Sequence, residues 1–303
     1  MLPAPTPDKI IAIDWSGRLD ISGQRRHIVA ATWTPASVTI TSGRTREEWI
    51  SWLIAEAKQT PRLVVSFDCC FSYPAWFLAE HHCATVFDFW RHVASGQGER
   101  WLSRECTPPD TSRDERFWGK PHKKPPQFCG EDMPRMMRLT DMENKIAEGM
   151  SAARAALVRG IAPKSPFQIG GSGSVGTGTL RAIPFLLQLH EAGFRTWPFE
   201  NAALNAKRPQ PLVIEMYARL LTGAVKKSSA EARRAYLRAK LRDDIFYATL
   251  KRPTLAKAIA SEDAFDALIS AMEMARHAET FPRLKRTKNP IRALEGITWV
   301  PSL

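Results

Sequence analysis

The stretch KIIAIDWSG, Lys9 to Gly17, decides how this chain is read. An Ile-rich run that ends on an acid suits a buried strand whose last side chain reaches the sheet edge. Two short β-patterned segments follow, RRHIVAATW (25–33) and SVTITSG (37–43), with turn-forming Pro35 and Ser37 between their apolar runs. Next comes TREEWISWLIAEAKQ (45–59), where Thr45 and Glu48 have capping-box spacing and Trp49, Leu53, Ile54 and Ala57 form a helical stripe. Pro61 stops that helix, and RLVVSFDCC (62–70) is a fourth strand running up to Asp68.

The order strand, strand, strand, helix, strand constrains the geometry. Short links make the first three strands antiparallel. The helix is a crossover, which returns the fourth strand parallel beside the first. Asp14 and Asp68 are then expected at one carboxyl edge. Adjacent strands lie about 4.8 Å apart, so two carboxylates there are able to share a divalent cation.

Composition sets the outer limits. The apolar fraction of 44% is that of a globular protein with a real core, and no apolar run approaches a bilayer span. MLPAPTPDK carries no signal-like apolar segment, and five cysteines (69, 70, 83, 106, 129) form no framework of regular spacings. The expectation is a cytoplasmic protein with reduced thiols and no membrane partner. Lys and Arg number 43 against 31 acids, a formal charge of +12 that favours a polyanionic partner, nucleic acid first.

Beyond Cys70 the pattern loosens. Residues 74–140 are expected to form an insertion or lid on a single domain spanning 1–303. TDMENKIAEGMSAARAALVRG (140–160) reads as a helix opened by a Thr140/Glu143 capping box. IGGSGSVGTGTLR (169–181) holds Gly171, Gly173 and Gly176 in the spacing of a dinucleotide turn before an apolar helix. Its upstream stretch APKSPFQIG is too short and polar for a central parallel strand, so a nicotinamide site with Glu200 as ribose acid is disfavoured. The glycines are expected to wall the active edge or to contact a phosphate. FRTWPFE, PLVIEMY and EGITWVP supply further short strands, and SEDAFDALISAMEMARHA is the last strong helix.

Further acids join the first two. Glu215 lies inside the apolar run LVIEMY, and Asp263 and Asp266 open a helix at i, i+3 spacing on one face. Such carboxylates repel unless cations neutralise them, and Mg²⁺ or Mn²⁺ is the natural partner for hard oxygen ligands. Two such ions about 4 Å apart activate a water and stabilise the leaving oxygen of a phosphodiester. Taken singly, Asp14 also suits a turn, and Asp68 and Asp263 suit helix caps.

The strand order with an acid in strand one resembles the ribonuclease H-like fold, an α/β mixed sheet flanked by helices. DAFDALISA resembles the Asp-x-x-Asp-Ala-Leu helix of Holliday-junction resolvases in that superfamily. IAIDWSG, VVSFDCCFSYP, GSGSVGTGTL, VIEMY, DAFDALISA and EGITWVP together look like the domain-of-unknown-function family of predicted ribonuclease H-like nucleases. The resemblance implies metal-ligand roles for Asp14, Asp68 and one or both of Asp263 and Asp266, with Glu215 as a further acid. It implies metal-dependent hydrolysis of DNA or RNA with Mg²⁺ or Mn²⁺. Asp68 stands where resolvases carry Glu, which shortens the reach to a metal.

Two other classes stay open: a nucleotide-binding phosphotransferase or ATPase of the same fold, and a non-catalytic basic nucleic-acid binder. GKPHKKPP (119–126), the helix carrying Arg233, Arg234, Arg238, Lys240 and Arg242, and RLKRTK (283–288) are candidate phosphate surfaces. Trp101 and Trp118 lie among these charges, suited either to stacking on bases or to packing. His81, His82, Cys83, Cys106, His122 and Cys129 fit no standard zinc spacing.

Overall fold

A computed structural model describes residues 6–103, 114–119, 123–145, 164–171, 174–223 and 225–301. Six strands form one mixed sheet in the order β3-β2-β1-β4-β6-β5. β1 (Lys9–Asp14), β2 (Val29–Thr34) and β3 (Ser37–Thr41) are antiparallel neighbours, as their short links require. β4 (Leu63–Asp68) returns parallel to β1 after the crossover helix. β5 (Arg195–Thr196) and β6 (Leu212–Met216) extend the parallel half.

One element was not foreseen. Helix α1 (Ile21–His27) fills the link between β1 and β2, so RRH belongs to a helix and β2 starts only at Val29. The Asp20 carboxylate caps it by accepting from the Gly23 amide. A seven-residue helix with an internal glycine and an exposed Ile21 offers little periodicity to read. Helix α2 (Arg46–Gln59) keeps the expected capping box, with Thr45 and Glu48 bonded in both directions. The EGITWVP strand shrinks to a single bridge, Glu215 to Thr298.

Strand alternation divides the core into two layers. Ile11, Ile13, Val65, Phe67 and Val213 point to one face, with α2 and the later helix α7 (Gly176–Glu191) over them. Ile10, Ala12, Val64, Ile214 and Met216 point to the other, covered by the long helix α11 (Glu262–Arg276).

Much of 74–140 contributes to the first layer. Between β4 and α7 come α3 (Ala75–Glu80), α4 (Val86–His92), α5 (Gly98–Leu102) and α6 (Leu139–Lys145). Phe77, Phe89, Trp90, Trp101 and Phe117 are buried in the same cluster as the sheet residues. Each such side chain contributes roughly 1.5–3 kcal/mol of burial, so the described part of this segment adds to the core. The Thr140/Glu143 capping box does not form. The helix begins one residue earlier, the Thr140 hydroxyl accepts from the Thr298 amide, and Glu143 pairs with Arg292. The rest of that expected helix lies outside the described residues, as does Gly173.

On the second layer α8 (Ala218–Thr222), α9 (Ala230–Asp243) and α10 (Arg252–Ala260) precede α11, whereas the short α12 (Arg292–Glu295) that follows it returns to the first layer, where Leu294 packs. Among the described residues no helix is long and apolar enough to cross a membrane.

Candidate functional site

The parallel register places Ile13 beside Phe67, so Asp14 and Asp68 end their strands one position further on, at the same edge. Both share the sheet face of Ala12 and Ser66, which α11 covers. Asp266 projects from the buried side of α11 with only 4% of its surface exposed. Three carboxylates therefore approach one another from three elements that lie far apart in sequence.

A cation already answers them. The Lys227 ammonium bonds Asp266 Oδ2 and also lies within the field of Asp14 and Asp68. Asp266 Oδ1 is buried with no hydrogen-bond partner among the described residues. Asp263 turns away from this cluster. Its carboxylate meets His27 Nδ1 at 2.9 Å, on a separate hollow bounded by Arg26, Lys257 and Ser261. The i, i+3 pair thus does not act as one unit: residue 266 faces the buried cluster and residue 263 faces α1.

One lysine against three acids leaves charge uncompensated, and protonation reflects it. Burial pushes the Asp14 carboxyl well above its ordinary range, and the Asp266, Asp68 and Asp263 charges push it further, with Lys227 opposing. Burial raises Asp68 to about 6 against the pull of Lys227 and a hydrogen bond from the Ala218 amide. Asp266 rises to about 7, again through burial first, with Lys227 opposing and Asp68 adding. Burial alone would lower Lys227, but the Asp266, Asp68 and Asp14 carboxylates together outweigh it and hold the ammonium charged. A divalent cation would relieve this imbalance, and hard carboxylate oxygens with one orphaned acceptor suit Mg²⁺ or Mn²⁺. Among the described residues, however, no three His, Cys, Asp or Glu side chains already stand as a metal cage.

Glu215 lies on the other side of the sheet, and its carboxylate is fully engaged. It pairs in register with Phe67, one position out of step with Asp68, and so points into the opposite layer. Arg138 grips it in two-pronged fashion, Nη1 to Oε2 and Nη2 to Oε1, both at 2.7 Å. The Phe71 amide and the Thr298 hydroxyl donate to the same carboxylate at 2.8 and 2.7 Å. Asp141 completes the group by bonding Arg138. Burial opposes the Arg138 charge, but the Asp141 and Glu215 carboxylates outweigh it and raise its pKa above the ordinary value. With four donors on its two oxygens, Glu215 is a structural anchor and has no room for a metal or a reacting water.

Asp14 and Asp68 open onto a cleft of about 780 Å³. Gly170, Gly171, Thr177 and Gly178 also line this cleft. Among the described residues no strand precedes this glycine-rich stretch. The upstream residues make only an isolated bridge, Trp118 to Gln168, and Glu200 is taken up by Arg195 and the Thr196 amide. The dinucleotide reading is therefore not supported by the local structure. Gly176 starts α7 against the Pro166 carbonyl, where an added Cβ would come within 2.2 Å of oxygen. Arg18 and Lys164 bring positive charge to the cleft rim, and Tyr217 adds a ring.

The tip of β1 is held from two directions. Arg46, buried on α2, donates to the Ser16 carbonyl at 3.1–3.2 Å and to the Arg18 carbonyl. Burial lowers its pKa to about 10. On the other side Gly17 presses on α7, where a Cβ would meet Gly178 N and Thr177 C at 2.7 Å.

Lys227, Arg138 and Arg46 were not singled out in the sequence. Arg138 carried a usable signal, because a buried acid inside LVIEMY demands a cation somewhere in the chain. Lys227 had no such signal, since VKKSS looks like a solvated surface turn.

Other candidates resolve differently. Trp101 and Trp118 are 5% and 6% exposed, with Trp101 stacked on Phe117 and Trp118 on Phe167, so both pack and neither is presented to a base. Arg233 is buried against backbone carbonyls, and Lys240 and Arg242 pair with Glu273 and Asp243. Arg234, Arg238 and the RLKRTK basic residues stay exposed. Cys83 bonds the His81 carbonyl, Cys129 bonds the Pro125 carbonyl, and Cys106 and His122 lie outside the described residues. No family model, curated protein or solved structure matches this chain.

Proposed function

We propose that the protein is a divalent-metal-dependent nuclease of ribonuclease H-like architecture, hydrolysing phosphodiester bonds of DNA or RNA. The observation that carries the reading is the trio of Asp14 and Asp68, which line a cleft, and the buried Asp266 beside them, with more negative charge than Lys227 neutralises. The strand order, with three antiparallel strands followed by parallel ones and an acid ending β1 and β4, supports the architecture. A shared fold does not fix the reaction, so the site carries the argument.

In this reading Asp14, Asp68 and Asp266 hold Mg²⁺ or Mn²⁺, which when bound supplies water activation and charge neutralisation at the phosphate. The chain's own groups do the rest. Arg18 and Lys164 attract the nucleic-acid backbone to the cleft. Gly170, Gly171 and Gly178 let the backbone of the wall approach a phosphate with no side chain intervening. Arg46 and Gly17 fix the tip of β1, and with it the aim of Asp14. Glu215 and Asp263 take no part in the chemistry.

The test is cleavage of single-stranded, duplex and branched DNA and RNA by purified protein with Mg²⁺ or Mn²⁺, beside Asp14→Asn. Metal-dependent cleavage lost in Asp14→Asn is expected. Absence of cleavage on every substrate shape, or cleavage unaltered by Asp14→Asn, would overturn the proposal.

A second reading rests on α7, whose N-terminal residues Thr177 and Gly178 line the same cleft. The cleft volume falls in the range of small-ligand sites, so a nucleotide phosphotransferase remains the enzymatic alternative. A nucleotide that raises Tm in a screen, together with absent nuclease activity, selects it. Binding of nucleic acid that ignores both metal and Asp14→Asn selects the basic binding protein instead.

A further inference from the structure

We propose that Lys227 is a resident counter-cation that holds the carboxylate cluster in its metal-free form and must leave Asp266 for a divalent ion to enter. The inference rests on the metal-site reading above and adds a residue that regulates it.

Lys227 is delivered to the cluster by a built support. It follows α8 in the turn that leads to α9, and two arginines hold that turn by its backbone. Arg219 donates to the Val225 carbonyl. Arg233, 5% exposed, donates to the Lys227 carbonyl and, through Nε and Nη2, to the Ile259 carbonyl at 3.0 and 2.6 Å. Two buried or half-buried guanidiniums spent on one short turn fix where its lysine points. The ammonium then occupies Asp266 Oδ2, while Oδ1 keeps no partner.

Electrostatics make this position a switch for occupancy. A cation seated on a carboxylate lowers that oxygen's attraction for a second cation by direct repulsion and by competition for the same lone pairs. Without any cation, three acids at the edge of the core would repel one another. Lys227 satisfies the resting state, and a divalent ion displaces it because two charges answer the trio better than one. On displacement the flexible stem swings the ammonium toward solvent while the arginine-held backbone stays in place.

The measurement is Mn²⁺ binding by calorimetry at pH 8 and low salt, on the full chain with Lys227→Met, Lys226→Met and Asp14→Asn. Lys226 is the exposed neighbour and controls for net charge. Lys227→Met is expected to bind Mn²⁺ at least tenfold more tightly than the unaltered protein, with Lys226→Met within twofold. A second readout needs no variant. Acetylation of Lys227, read by peptide mass spectrometry, is expected to rise severalfold when Mn²⁺ is added, with Lys226 unchanged. If Mn²⁺ binds and is lost in Asp14→Asn, yet Lys227→Met binds no tighter or Lys227 labelling stays flat, the counter-cation proposal alone falls. If neither the unaltered protein nor Lys227→Met takes up Mn²⁺, the metal site falls with it.

Discussion

Arg138 and Glu215 meet in a two-pronged ion pair inside the core, 77 residues apart in sequence and both almost wholly buried. Removing one partner of such a pair strands the other charge, at a typical cost of about 3–5 kcal/mol. Glu215→Gln and Arg138→Met are therefore expected to lower Tm by roughly 5–8 °C, given about 1.6 °C per kcal/mol at the usual unfolding entropy per residue. Asp14→Asn is expected to abolish cleavage without that loss. Thermal melts run beside cleavage assays separate the two roles, and a Glu215→Gln protein that melts normally but fails to cleave would return Glu215 to the reacting site.

The carboxylate cluster makes stability depend on pH with an unusual sign. Asp68 titrates near 6 when folded, above its ordinary value of 3.8, so the folded chain binds the extra proton between about pH 4 and 6. Stability from this group is fully present below about pH 4, has fallen by about half at pH 5, and is lost as pH rises through 6. The displacement corresponds to about 2–3 kcal/mol. In metal-free protein Asp68→Asn is expected to raise Tm by about 5 °C at pH 8 and by about half as much at pH 5. Equal shifts at both pH values would show that Asp68 carries no such strain.

Gly17 and Gly178 face each other across the cleft wall, yet they differ in what they tolerate. A Cβ on Gly17 meets backbone at 2.7 Å, whereas one on Gly178 has its nearest neighbour, Gly17 N, at 3.9 Å. Gly17→Ala is expected to cost about 1–3 kcal/mol by overpacking and, by displacing the tip of β1, to cut cleavage at least tenfold. Gly178→Ala is expected to keep or raise Tm, since alanine is the better helix residue by about 0.5–1 kcal/mol. Melting curves for the two variants check this directly, and equal losses would mean that the Gly17 contact is not what fixes the wall.

Arg18 and Lys164 line the cleft; among the described residues Arg18 has only Asp20, at 3.9 Å, as an ion-pair partner and Lys164 has none. As backbone contacts they should act on affinity and leave sequence preference alone. Each change to Ala is expected to reduce the salt slope of nucleic-acid binding by about 1 and to weaken binding evenly across sequences. Titrations at several salt concentrations measure this. A slope that does not change would move the nucleic-acid path elsewhere, with the exposed Arg283 to Lys288 run next in line.

The first half of the sheet was legible because its signals are local. The Ile-rich run before Asp14, the capping box at Thr45 and the stop at Pro61 each state an element, and crossover geometry then sets Asp14 beside Asp68. Asp266 was legible as an acid amid apolar helix residues. Other features were not local. That Glu215 is neutralised depends on Arg138, which belongs to a region of weak pattern. That Lys227 reaches Asp266 half-buried depends on two arginines gripping backbone, a contact no side-chain periodicity records. The helix between β1 and β2 escaped because Asp20 and seven mostly polar residues resemble a loop as readily as a helix.

The sheet also acts as a partition that sorts acids by side. In β6, Glu215 and Met216 are neighbours in sequence, but the pleat sends the carboxylate to Arg138 and the thioether to the face of Asp68, where it accepts from the Ser66 hydroxyl. A one-residue slip of β6 would exchange them, adding a fourth acid to an already overcharged cluster and leaving Arg138 without its main partner. Insertions or deletions in this strand should thus be lethal to both layers at once, even where composition is preserved. The register of one five-residue strand keeps the protein's neutralised acid apart from its uncompensated ones.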